Sequence, residues 1–149
     1  KNFIESLKKN FKNVTFEASR LEDIISGSGI SKIYETLTHE KLSAEEIFKK
    51  FLDKEPDALF VINGFIKSLS QTLSDLALSF LPGKGILLAG SLSRSIYTHF
   101  NEQNFFKPFI NNNTGMHFDI LKNTPIGVIT KERTPLYGNL AFYKNLNKI

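Results

Sequence analysis

From Ala58 to Leu81 the apolar positions Ala58, Ile62, Phe65, Leu69, Leu73, Leu76 and Phe80 advance by threes and fours. Val61, Ile66, Leu78 and Leu81 widen the stripe. That period predicts one long α-helix, and so broad an apolar face has to be covered by other elements. Pro56 stands near its start, where the missing N–H does no harm, and Leu81-Pro82-Gly83 stops it. Gly64 inside it costs about 1 kcal/mol relative to Ala, which points to a close contact on that side. The helix is expected to be the central packing element, buried against a sheet.

The sheet begins directly after it. Gly83-Lys84-Gly85 leads into Ile86-Leu87-Leu88-Ala89, which stops at Gly90-Ser91. A short apolar run bounded by glycines predicts a buried parallel strand. Its end feeds a tight turn where a ligand can approach bare backbone. A second apolar strand is expected over Ile126-Gly127-Val128-Ile129, after Thr124-Pro125, and a short one bordered by His117, Ile120 and Leu121.

Helices fill the rest. Phe3, Ile4, Leu7 and Phe11 mark an amphipathic first helix. Ser19-Arg20-Leu21-Glu22 has the form of a capping box, opening a short helix that ends at Ser26-Gly27-Ser28-Gly29. Ile30, Ile33, Tyr34 and Leu37 follow on one helical face. Ser43-Ala44-Glu45-Glu46 is a second capping box, with Ile47, Phe48, Phe51 and Leu52 expected inward. Helices are predicted over Ser93–Phe100 and Gln103–Phe109, then a polar turn over Asn111–Gly115. Thr134 as N-cap and Pro135 at the first position open a last helix carrying Leu136, Leu140, Tyr143 and Leu146. The class is α/β, rich in helix, with a small sheet. The strands are too few for these helices, and the sequence starts at Lys1 without Met, so the chain is expected to be a piece of something longer.

Composition removes several chemistries. A chain of 149 residues with 41% hydrophobic content can bury one core. With no Cys, disulfides, thiolate metal sites and cysteine nucleophiles are excluded. No signal peptide or bilayer-length apolar run is visible, so a cytoplasmic protein without membrane contact is expected. The net charge of +4 is spread along the chain without a dense basic block, which argues against a nucleic-acid partner. His39, His99 and His117 have no metal-ligand spacing. Glu22, Asp23, Glu45 and Glu46 are explained by capping and helix dipoles. No general base has a second group to orient it, so a complete active site is not expected here.

Three glycine-bearing turns remain, at Ser26–Gly29, Gly90–Ser91 and Thr134–Gly138. Meeting at one crevice, they would make a backbone-built nucleotide half-site, with Leu92, Ile30 and Leu136 enclosing the base.

Together these turns resemble the C-terminal part of the bacterial glucokinase family, in the hexokinase and actin-like ATPase superfamily. Ser26-Gly27-Ser28-Gly29-Ile30, followed by Ile33-Tyr34, resembles its Ser-Gly-Pro-Gly-Leu loop and the Leu-Tyr of the next helix; Glu22 matches a Glu four residues before the Ser. Ile86–Ser91 resembles the apolar strand ending in Gly-Gly, the adenosine motif. Pro125–Ile129 and Thr134–Ala141 resemble the closing strand and the Pro-Gly-Leu-Leu-Gly-x-Ala helix start. The chain departs from the pattern at Ser28, Ser91 and Leu136.

The resemblance implies that 1–149 are the C-terminal part of the large domain, within a ribonuclease H-like (actin-like ATPase) fold whose other lobe lies upstream. It implies ATP-dependent phosphorylation of D-glucose with Mg²⁺, giving ADP and D-glucose 6-phosphate. Adenine and ribose would rest against Gly27, Ser28, Gly90 and Ser91, with Gly138 near the base. Catalytic and sugar-binding residues would precede Lys1, leaving this chain alone inactive. The rival reading is a non-catalytic sugar- or nucleotide-sensing or dimerisation module on the same fold. For a homodimer, the long helix or Phe105 and Phe106 are the candidate faces.

Overall fold

The computed structural model describes residues 3–110 and 113–146. Helix α4, Pro56–Phe80, is the axis around which the other elements collect. It packs against α2 (Gly27–Thr38), α3 (Ala44–Leu52), α6 (Lys107–Ile110) and α7 (Gly115–Lys122). Ala58, Val61, Ile62, Phe65, Ile66, Leu73 and Ala77 are buried along it. The expected stripe does not stay covered to its end, for Leu76 is 43% and Phe80 76% exposed. The central role is as the periodicity predicts, but its main neighbours are helices.

Four hydroxyls are also buried on α4; three are tied to partners in a way periodicity does not reveal, while Ser74 Oγ has no hydrogen-bond partner among the described residues. Ser68 Oγ accepts from Asn10 Nδ2 at 3.0 Å, Thr72 Oγ1 donates to the Ser68 carbonyl at 2.8 Å, and Ser70 Oγ donates to the Phe105 carbonyl. Such pairing is what lets a polar group sit in a core.

Helix α1, Phe3–Lys8, stops short of Phe11, which is buried beyond its end. The Ser19–Glu22 capping box does not form. Instead the Asp23 carboxylate accepts from the Ser19 and Arg20 N–H groups at 3.0 and 2.9 Å, closing a 3₁₀ turn at Leu21–Asp23. Glu22 pairs with Arg20 at the surface. The Ser43 box does form: Ser43 N–H donates to Glu46 Oε2 at 2.8 Å and Glu46 N–H to Ser43 Oγ at 3.3 Å. Leu52, expected inward on α3, is 52% exposed.

Strands β1 (Ile86–Leu88) and β2 (Ile126–Val128) pair in parallel, Leu87 opposite Gly127. Ile86, Leu88 and Ile126 pack on the core, whereas Leu87 is 71% exposed. The expected full burial of β1 therefore holds for one face only. Helix α5, Ser91–Ile96, starts two residues earlier than predicted and runs into a 3₁₀ turn at Tyr97–His99. A π-helical turn at Glu102–Phe106 then meets α6, where Pro108 has no N–H to continue an α-helical ladder. Phe105 is buried, its ring stacked on Phe100 with centroids 4.1 Å apart, so it is no partner face; Phe106 is half exposed.

The strand expected around His117–Leu121 is instead α7. Helix α7 packs on α4 and α6 and buries Leu121. Of the expected Asn111–Gly115 turn, Asn111 and Asn112 lie outside the described residues. Helix α8, Thr134–Leu146, has no buried residue. Thr134 is its first residue rather than its cap; its Oγ1 donates to the Lys131 carbonyl at 2.7 Å, and Arg133, at φ 57°, takes the N–H of Leu136.

Candidate functional site

Helix α2 opens where Ser26 caps it, its Oγ accepting from Gly29 N–H at 3.0 Å and lying 2.9 Å from Ser28 Oγ. The two glycines of this turn do different work. A β-carbon at Gly29 would lie 2.8 Å from the Asp23 carbonyl oxygen, so Gly29 lets α2 close against the preceding 3₁₀ turn. At Gly27 a β-carbon would only touch Ala44 Cβ at 3.6 Å, leaving its backbone bare toward α3. The N–H groups of Gly27 and Ser28, in the first turn, have no intrahelical acceptor.

Helix α5 opens at Gly90, whose φ of 121° and ψ of 163° suit glycine alone. Nothing lies within 4 Å of where its β-carbon would be, so the demand is conformational.

These two starts meet the start of α3. A groove of about 410 Å³ is lined by Gly27 of α2, by Ala44, Glu45, Phe48 and Lys49 of α3, and by Ser91, Leu92 and Ser95 of α5. Each helix contributes its first residue: Gly27, Ala44 and Ser91. Helix N-termini carry partial positive charge and spare N–H groups, so their convergence favours an anionic or polar ligand. Phe48, Leu92 and Ala44 add an apolar wall. Such a mixture, at this size, is what small-molecule sites are made of.

A polar knot holds the surrounding helices in place. Buried Tyr34 of α2 donates to Glu55 Oε1 at 3.0 Å and accepts from Lys50 Nζ of α3 at 3.0 Å. Lys50 also reaches Glu40 at 2.8 Å and Glu55 at 3.3 Å. Hydrogen bonds to Glu40 and Tyr34 hold its ammonium above the usual lysine range, and burial pushes the Tyr34 hydroxyl up.

Of the sequence-predicted residues, Gly27 and Ser91 line the groove; Ser28 and Gly90 adjoin them in the chain without lining it. Leu92 lines it too, but Ile30 is buried in the core. Gly138 and Leu136, on exposed α8, are absent from the lining. Two of the three predicted turns therefore meet. The α3 wall was not foreseen. Its signal was the spacing of Ala44, Glu45, Phe48 and Lys49, which places them on one helical side. Of the two acids explained by capping and the helix dipole, Glu46 caps and Glu45 lies in the first turn of α3, and among the described residues neither Glu45 nor Lys49 forms an ion pair. Larger hollows of about 610, 530 and 430 Å³ border the α1 region and hold none of the predicted nucleotide-site residues. Among the described residues no three His, Cys, Asp or Glu cluster to hold a metal ion. No described helix is long and apolar enough to cross a membrane.

Fold and groove together define a helix-rich α/β protein with a parallel strand pair and a ligand-sized groove at converging helix starts. The chain belongs to the glucokinase family, whose model matches residues 2–146. A protein from Mesorhizobium japonicum named glucokinase is 28% identical over 131 residues, covering 83% of this chain and 38% of that protein. The crystal structure of a glucokinase from an Antarctic psychrotroph superposes with a TM-score of 0.70 at 22% identity, covering 96% of this chain and 44% of that one. That likeness shows the fold. The chain thus spans under half the length of either.

Proposed function

We propose that 1–149 form the C-terminal part of the large domain of a cytoplasmic, ATP-dependent glucokinase with a ribonuclease H-like (actin-like ATPase) fold. The intact protein would convert ATP and D-glucose to ADP and D-glucose 6-phosphate. This chain would supply the adenosine side of the nucleotide site through Gly27, Ser28, Gly90 and Ser91. The observation that carries the reading is that Gly27 and Ser91 line one groove at the starts of α2 and α5. Gly138, outside that lining, carries no weight in it.

The chemistry follows from the parts. A flat base gains by leaving water for the Phe48 and Leu92 side of the groove. The bare backbone of Gly27 lets a ligand come close, and the first-turn N–H groups of α2 suit ribose or phosphate oxygens. In the transfer, the sugar C6 oxygen forms a bond to the γ-phosphorus while the bond to the bridging oxygen of ADP breaks. The hydroxyl proton passes to a carboxylate in the rest of the protein, since no general base with a positioning partner is found in the groove. The groove holds one carboxylate, Glu45, and among the described residues no cluster of metal ligands is found, so the groove does not fit a resident metal; Mg²⁺ would belong to the substrate, arriving on ATP.

The test is direct. The intact protein, given glucose and ATP, should form glucose 6-phosphate and ADP in equal amounts. A protein that binds ATP and glucose without forming either product would instead be the sensing or dimerisation module.

A further inference from the structure

The one aromatic side chain in the groove is held on two sides. Phe48 stacks on Phe51 of the same helix, ring centroids 5.5 Å apart and planes 25° from parallel. The His99 ring meets Phe48 edge-on at 5.6 Å and Phe51 at 4.9 Å. Phe51 is buried, whereas Phe48 is only partly so and lines the groove. His99 ends the turn that continues α5. It therefore ties the α5 wall to the α3 wall through Phe48. The His99 carbonyl is itself fixed, accepting from buried Asn104 Nδ2 at 3.0 Å.

We infer that Phe48 is the residue by which this groove prefers a purine base, and that His99 is the positioning residue that sets the Phe48 ring. This deepens the reading of the groove as the adenosine side and rests on it. A ring already braced loses little freedom on binding, and a base stacks on an aromatic face in proportion to their overlap. A two-ring purine overlaps more than a pyrimidine. Gly27 lines the same groove as that ring, and a β-carbon there would touch only Ala44 Cβ, at 3.6 Å.

The experiment uses the intact protein and compares kcat/KM for ATP and CTP, with KM for glucose as control. Phe48→Leu, which keeps apolar bulk but no aromatic face, should raise KM for ATP roughly tenfold, the scale of one lost stacking contact. It should also draw the ATP-to-CTP ratio toward one while leaving KM for glucose unchanged. Phe48→Trp should keep the preference, and its added fluorescence should be quenched by saturating ADP. His99→Ala should weaken the preference in the same direction, and His99→Phe should restore it. A Phe48→Leu protein with an unchanged ATP-to-CTP ratio overturns the inference. If Gly27→Val still raises KM for ATP in that case, the adenosine reading of the groove survives. If folded Phe48→Leu and Gly27→Val proteins both keep the parent KM for ATP, both readings fall. Should Phe48→Leu not fold, unchanged Phe48→Trp emission at saturating ADP overturns the stacking role.

Discussion

The ring of Phe11 rests on the bare backbone of Gly64: a β-carbon there would lie 2.6 Å from Phe11 Cε1 and 3.1 Å from the Asn10 carbonyl oxygen. This is the close contact that a glycine inside a long helix foretells. Gly64→Ala gains helix propensity of about 1 kcal/mol but forces a buried ring out of place, at a cost of roughly 1–3 kcal/mol. The expected result is a lower unfolding midpoint in denaturant. A midpoint equal to or above the parent's would show that Phe11 moves without cost.

Gly90 makes the opposite case, where space is free and conformation is not. Gly90→Ala should destabilise the protein by about 1–3 kcal/mol through backbone strain alone. Because Gly90 aims the start of α5, KM for ATP in the intact protein should rise as well. Equal stability of the Ala variant by urea unfolding would remove the strain argument.

Buried Asn104 joins three segments. Its Nδ2 donates to Asn63 Oδ1 and to the His99 carbonyl, each at 3.0 Å, and its Oδ1 accepts from Asn101 N–H at 2.9 Å. Asn104→Ala leaves those groups without their partner, at an expected cost of about 1–3 kcal/mol. Calorimetry that finds no drop in Tm would contradict it.

Two capping carboxylates predict an acid response. Asp23 is held below the usual carboxylate range by the Arg20 and Ser19 N–H groups, and Glu46 by the Ser43 N–H and hydroxyl. A lowered folded-state pKa means the stabilisation is fully present above the unfolded-state value. It is lost as pH falls from there through the folded-state values. Carboxyl-carbon titration by NMR should place both groups below free Asp and Glu. Finding either at or above its free value would refute the capping geometry.

How far the sequence reaches depends on how local the cause is. The period of α4 and the Ser43–Glu46 box are local patterns, and both appear in the structure. Gly27 and Ser91 line one groove, as expected if glycine-bearing turns at element ends converge at one crevice. The misses come from tertiary packing. In α7, Met116, Phe118 and Ile120 alternate as in a strand, and only packing against α4 and α6 decides for the helix. Asp23 takes the place expected for Glu22 because the turn starts at Leu21 with Arg20 as its N-cap, which makes Asp23 the third residue. The α3 wall stayed hidden because Phe48 serves core and groove together. The face of β1 that carries Leu87 was expected inside and is open.

The central claim is that the groove at the starts of α2, α3 and α5 takes the adenosine of ATP. A crystal structure of the intact protein with glucose and a non-hydrolysable ATP analogue tests it most directly. The account predicts the purine and ribose in the groove between Gly27, Phe48 and Ser91. Nucleotide bound elsewhere, with this groove empty, would contradict it.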